Sequence, residues 1–208
     1  MQTEWTNRWN ERYQQEAFAY GTQPNRFLEE QLLPIPPGAI LLPAEGEGRN
    51  AVFAAKLGWD VSAFDISEEG RKKAEKLAVK NEVELDYSVG GLDQQNYKPA
   101  QFDVVALIYA HFPAAIKSTY HRELATYVKP GGYLIFEAFS KAHLSYVTAD
   151  PAVGGPKDIE SLFSLEEIQT DFRDFDFQLL NEVVIDLSEG LYHNGKGAVI
   201  RFVAQKLL

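Results

Sequence analysis

Between Ala39 and Ala138 the chain alternates short apolar runs with stretches of helical period, and this alternation limits the fold more than any other feature. Ala39–Leu42, Trp59–Phe64, Glu84–Ser88, Phe102–Tyr109 and Tyr133–Ala138 read as strands. Arg49–Leu57, Glu68–Asn81 and Lys117–Val128 read as helices. Ser67 is placed to cap the second, and Lys129-Pro130-Gly131-Gly132 to stop the third. Repetition of this kind builds a parallel sheet, because each parallel crossover needs a long return path and the returning helix covers the sheet. Phe102–Tyr109 is nearly all apolar, as a strand covered on both faces must be.

The two ends change character. The N-terminal segment reads as a helix with Trp5, Trp9, Tyr13 and Phe18 as its apolar side, broken at Gly21 and Pro24 before a short helix at Arg26–Leu33. Pro34, Pro36, Pro37 and Gly38 then close an arm, residues 1–38. Trp5, Trp9 and Tyr13 are expected to serve its packing. In the tail, Ser164–Phe172 reads as a helix whose Ser164 and Glu167 have capping-box spacing. Gln178–Leu187 and Ala198–Lys206 are β-rich, joined by the polar Ser188–Gly197, and suggest an antiparallel hairpin. Ser140–Ser161 is the longest irregular stretch, expected as a lid or binding loop around Gly154-Gly155-Pro156-Lys157. The expectation is one α/β domain over 39–208, Rossmann-like: a mostly parallel seven-stranded sheet, helices on both faces, and a C-terminal antiparallel hairpin.

Composition excludes several classes. Formal net charge is −10, and the nearest basic cluster, Arg71-Lys72-Lys73 with Lys76, reads as a solvated helix face. A small-molecule substrate is therefore expected, and no nucleic acid. Cysteine is absent, which removes disulfides, thiolate nucleophiles and cysteine-ligated metals. The 4 histidines show no metal-ligand spacing, so no metal is expected. No apolar run approaches membrane length and the N-terminus lacks a secretory pattern, so no membrane partner and a cytoplasmic location are expected. Oligomeric state is not legible.

The strongest chemical signal is Ile40–Ala51, ILLPAEGEGRNA, where a strand runs through Gly46-Glu47-Gly48 straight into a helix. Glycines allow a tight turn and close approach of a ligand, and a helix N-terminus offers free N–H groups. Asp65 ends the next strand, where an acid can accept both hydroxyls of a ribose. The pattern Gly46-x-Gly48-x-x-Ala51 also fits NAD. Glu45 and Glu47 weigh against a pyrophosphate and suit the sulfonium or amino group of S-adenosylmethionine. The chain is also short for a dehydrogenase and has no convincing Tyr-x-x-x-Lys.

On these residues the chain resembles the class I S-adenosylmethionine-dependent methyltransferases over nearly its whole length. AEGEGRNA is similar to the family's first motif, and DVSAFDIS to its second, with Asp65 and the adjoining Ile66 on the cofactor. FDVVALIYAHFP and VKPGGYLIFEAF are similar to its fourth and fifth strands. Tyr20-Gly21-Thr22-Gln23-Pro24-Asn25 and Glu189-Gly190-x-x-His193, followed by Arg201, resemble the tellurite-resistance type. The departures are Leu42-Pro43-Ala44, where the family carries a strand-end acid, and Asn194, where that type has arginine.

The resemblance implies methyl transfer from S-adenosylmethionine to a small-molecule thiol, amine or soft chalcogen anion by in-line displacement. It puts Gly91, Leu92 and Asp93 at the adenine and Tyr109 at the cofactor. Tyr20 and Asn25 are cofactor candidates beside their fixed turn. His111, at the end of the fourth strand, and His193, in the tail, are candidate general bases. His121 and His143 receive no role. The alternatives are an NAD-linked oxidoreductase and a non-catalytic S-adenosylmethionine-binding module.

Overall fold

The computed structural model describes residues 2–208. Two helices come first, α1 (Gln2–Tyr13) and α2 (Arg26–Leu32). The alternating region supplies β1 (Ala39–Pro43), α3 (Arg49–Lys56), β2 (Asp60–Asp65), α4 (Glu68–Lys80), β3 (Asp86–Val89), β4 (Phe102–Ile108), α5 (Lys117–Tyr127) and β5 (Val128–Phe139). The tail adds α6 (His143–Ala149), α7 (Leu165–Asp171), β6 (Phe175–Glu189) and β7 (His193–Lys206). All the strands lie in one sheet, ordered β3-β2-β1-β4-β5-β7-β6. Pairing is parallel from β3 to β5, and β7 runs antiparallel between β5 and β6. This is the expected single α/β domain with a closing hairpin.

Period-two alternation sends side chains to two cores. Ile40 and Leu42 of β1, with Val104 and Ala106 of β4, meet Phe27, Leu28, Leu32, Ala51 and Ala54 of α2 and α3. Leu41, Val105, Leu134 and Phe136 belong to the opposite core, with Leu124, Ile168 and Phe172 of α5 and α7. The chain winds outward from β1 to β3 and then returns to β4 on the other side of β1. The strand order therefore reverses between β1 and β4, and in open α/β sheets ligands bind at the carboxyl ends of the strands at such a reversal.

Local capping follows the sequence. Ser67 accepts from the Gly70 N–H at 3.1 Å, and Ser164 and Glu167 form a reciprocal capping box on α7. Trp9 stacks on Tyr13 at 5.4 Å, with Trp5 edge-on to Trp9, so these aromatics pack along the arm.

Five expectations are corrected. The first helix stops at Tyr13, short of Phe18. β3 lies later than Glu84–Ser88, at Asp86–Val89. β5 starts at Val128, since Phe102 pairs with Val128 and then Val104 with Tyr133. The helix does stop there, at Tyr127, but Pro130-Gly131-Gly132 is absorbed as a bulge within the strand that follows. Ser140–Ser161 is no free loop: it holds α6 and two 3₁₀ turns, because Val147 and Val153 bury against Phe139, Leu187 and Val199. The tail strands are also longer than their apolar cores. Backbone pairing continues through polar residues until Glu189 faces His193, leaving only Gly190, Leu191 and Tyr192 as the turn.

Candidate functional site

The turn after β1 is built by its two carboxylates. Gly48 occupies the N-cap position of α3 at φ +84° and offers no capping side chain. A Cβ there would lie 2.5 Å from that of Ala74, so α4 packs directly on this residue. Glu45 supplies the missing cap from upstream: its Oε1 accepts from the Asn50 and Ala51 N–H groups, both at 2.8 Å. Glu47 accepts from Ala19 N at 2.7 Å and from Lys73 Nζ at 2.7 Å, tying the arm and α4 to the turn. Neither carboxylate points free toward a ligand, and the first helical N–H groups are not open as the sequence suggested. Orphan donors in a buried turn attract the nearest acid. The same bonds disfavour a pyrophosphate at this helix end, and so the NAD reading. Lys73 is likewise more than a solvated lysine.

Replacing Glu45 by alanine leaves two buried N–H groups without acceptors. A loss of about 2–4 kcal/mol is expected, read as a fall in the midpoint of thermal melting. A variant melting within a degree or so of the parent would contradict the capping role.

Asp65 ends β2 and is buried. Its Oδ2 accepts from Gly46 N at 3.0 Å and its Oδ1 from Ser67 N at 2.9 Å, and the Ile66 N–H also bonds to it. Burial raises its carboxyl to about 6 against the pull of these backbone bonds. The Asp65 carbonyl accepts from Gly90 N at 2.9 Å, which brings the exit of β3 alongside. Gly91 is braced by Gln94 and Gln95, Leu92 is fully buried, and Asp93 is exposed with Tyr120 Oη at 3.3 Å. The phenol of Tyr13 lies over Gly46, 2.7 Å from where a Cβ would stand. Each Asp65 oxygen keeps lone-pair capacity for a ligand hydroxyl, so this turn fits a ribose-bearing cofactor.

A second cluster stands across the reversal, at the ends of β4, β5 and the hairpin. Glu189 Oε2 pairs with His193 Nδ1 at 2.9 Å and with Arg49 at 3.1 Å. Asn25, which caps α2, donates through Nδ2 to Glu137 Oε1 at 2.6 Å and Glu189 Oε1 at 3.1 Å. Glu137 is fully buried in β5 and pairs with Arg201, its cross-strand neighbour in β7. The ring of His193 packs on Tyr20 at 4.5 Å, Tyr109 at 4.6 Å and Phe139 at 5.2 Å. Tyr20 also accepts a hydrogen bond from Arg12 at 2.8 Å. Burial would lift the Glu189 carboxyl, but His193 and Arg49 hold it at about 2. Burial lowers His193 even against that carboxylate. The geometry therefore reads as a neutral imidazole donating from Nδ1 to a carboxylate, with its lone pair at Nε2.

The structure thus brings Tyr20, Asn25, Tyr109 and His193 together, and separately Gly46, Asp65, Ile66 and Gly91. His111 joins neither group. Its Nε2 accepts from Phe139 N at 3.3 Å and its Nδ1 meets Ser161 O at 3.0 Å, so both nitrogens serve backbone. Burial drives it down to about 3. Lys117 binds the carbonyls of Glu160 and Leu162 on either side of Ser161, which anchors this segment. His143 stacks on Phe139 at 3.8 Å and meets Gly154 O. Gly154 in turn lies against Tyr192 and His193.

Arg49 and Glu137 were given no role from sequence. The available signal was a single acid inside the apolar run Tyr133–Phe139, and an arginine entering a helix directly from the glycine turn. Among the described residues no group of His, Asp and Glu is placed to hold a metal ion, and no helix is long and apolar enough to cross a membrane.

Residues 41–136 match a family model described as a methyltransferase domain. No curated protein matches the sequence. Among solved structures, one described for the conversion of a disulfide bond into a thioacetal group during echinomycin biosynthesis is similar at TM-score 0.72. It is 15% identical over 98% of this chain and 92% of its own. An S-adenosylmethionine-dependent methyltransferase from Methanosarcina mazei reaches 0.69 at 17% identity, over 89% of this chain and 99% of its own. TehB from Haemophilus influenzae reaches 0.70 at 17% identity, over 97% of this chain and 66% of its own. Identities this low establish the shared fold.

Proposed function

We propose that this chain is a methyltransferase that uses S-adenosylmethionine, and that it methylates a small protic acceptor, a thiol first among them, held beside His193. The observation that carries this reading is the buried Glu189–His193 pair, set among aromatic rings and across the strand-order reversal from Asp65.

Gly46, Asp65 and Ile66 would hold the cofactor's ribose, with Gly91 and Leu92 toward its base. Bound there, the cofactor would supply an electrophilic methyl group on a positively charged sulfur that leaves as a neutral thioether. The chain's own residues orient the acceptor, exclude water and move one proton. His193 Nε2 takes the acceptor's proton. Glu189, kept ionised by Arg49, balances the imidazolium that results. His111 and Lys117 anchor the 159–162 segment through its backbone carbonyls. The N-terminal arm closes over the turn through Tyr13 and Ala19 and lends Tyr20 and Asn25 to the site, whose other residues belong to 39–208.

The test is an acceptor screen read by release of S-adenosylhomocysteine, using small thiols, amines and chalcogen anions. Turnover on thiols, with little on the others, is the expected result. Turnover on none of them, with the cofactor bound, would favour a binding module and sink this proposal.

A further inference from the structure

We infer that Tyr109 is the acceptor-positioning residue of this site, its hydroxyl donating a hydrogen bond to the nucleophilic atom whose proton His193 Nε2 accepts. The inference rests on the function proposed above and narrows it.

Three independent observations point to Tyr109. Its hydroxyl is buried and makes no hydrogen bond of good geometry among the described residues, although it interacts with the Glu137 carboxylate, which Asn25 and Arg201 already occupy. A buried orphan polar atom is costly and rare, so one facing a site needs an explanation. Its backbone sits at φ +51°, a left-handed conformation that a bulky residue adopts only under constraint. The Tyr109 N–H bonds to Glu137 O at 2.7 Å, which fixes that conformation and aims the ring at Phe139 (4.8 Å) and His193 (4.6 Å). Finally, the residue follows β4, so it stands on the β4–β5–β7 side of the reversal. Gly46, Asp65 and Gly91 follow β1, β2 and β3 on the other side. The sequence reading put Tyr109 at the cofactor; the inference moves it to the acceptor side on its place after β4.

The surroundings define the acceptor's chemistry. Arg49 pairs with Glu189 and Arg201 with Glu137, so the charges nearest the ring cancel. A neutral acceptor suits such a site better than a carboxylate or phosphate, since Arg12, a further cation of this cluster, is engaged by the Tyr20 hydroxyl and the Tyr192 ring. Burial holds the phenol well above its ordinary range, with Glu137 and Glu189 pushing the same way, so it stays protonated and acts as donor. Neutral His193 is the complementary acceptor. A donor and an acceptor on neighbouring rings match a single X–H group: X receives from Tyr109 Oη while its proton passes to His193 Nε2 and later to water.

Tyr109→Phe tests this with mercaptoethanol and thiophenol as acceptors. The ligand-free variant should melt about 2–4 °C higher than the parent, because an unsatisfied buried hydroxyl is gone. Calorimetry should give the parent affinity for S-adenosylmethionine, and the KM for the thiol should rise about tenfold, the effect of one lost hydrogen bond. A lower melting temperature would mean that the hydroxyl has a structural partner and would overturn the assignment. Weaker cofactor binding with an unchanged thiol KM would overturn it as well. If the parent turns over neither thiol, the proposed function fails, and the melt and the cofactor titration still judge Tyr109.

Discussion

Replacing His193 by glutamine is expected to lower turnover by about 10²–10⁴-fold, the usual range for loss of a general base, with cofactor affinity essentially unchanged. The size follows from how fully the imidazole is committed. Glu189 takes Nδ1–H at 2.9 Å, and Arg49 and Asn25 fix that carboxylate in turn. Rotation would break a buried charged hydrogen bond, so Nε2 stays presented in one direction. Glutamine keeps the bulk and a polar end but cannot take a proton. Because burial depresses His193, the acid limb of the parent's rate profile should fall below the ordinary histidine range, and the variant should lack it. Rate measurements over the acid range on the best thiol decide the matter. A variant within a few-fold of the parent would remove His193 from the chemistry.

Asp65→Asn is expected to weaken S-adenosylmethionine by about 100-fold. Two ribose hydroxyls lose a charged acceptor, each bond being worth about 1.5–3 kcal/mol. The amide also disturbs the turn, since one end of asparagine cannot accept from Gly46 N or Ser67 N. The raised Asp65 carboxyl adds a pH signature. A raised value means the proton is held on the acid side of about 6, so the charged acceptor is lost as pH falls. Affinity of the parent should drop roughly tenfold from pH 7 to pH 5. The asparagine variant should show no such step.

The fold was legible because its signals are local. Apolar runs, Ser67, the Ser164–Glu167 box and the glycine turn each act within a few residues of chain, and the sheet follows from their alternation. Asp65 was legible for the same reason, as an acid at the end of a strand that follows a glycine turn. Side-chain direction was not. Glu45 and Glu47 looked like ligand-facing acids by spacing alone, yet buried N–H groups of α3 and the arm claimed them. His111 looked like a base because it ends β4, but Ser161, far along the chain, occupies one nitrogen.

The cluster of Asn25, Arg49, Glu137, Glu189 and Arg201 is assembled by topology. Glu137 meets Arg201 only because β7 inserts beside β5, and Asn25 reaches both glutamates only because α2 packs at the end of that sheet. The hairpin was under-read since its pairing runs through polar residues, where hydrophobic patterning gives no signal.

The central claim is that the site divides at the reversal between β1 and β4, cofactor on one side and acceptor on the other. Calorimetric titration of S-adenosylmethionine into the parent, Asp65→Asn and His193→Gln tests it most directly. A loss of about 100-fold is expected in the first variant and parent-like affinity in the second. Equal losses in both, or a loss confined to His193→Gln, would contradict it.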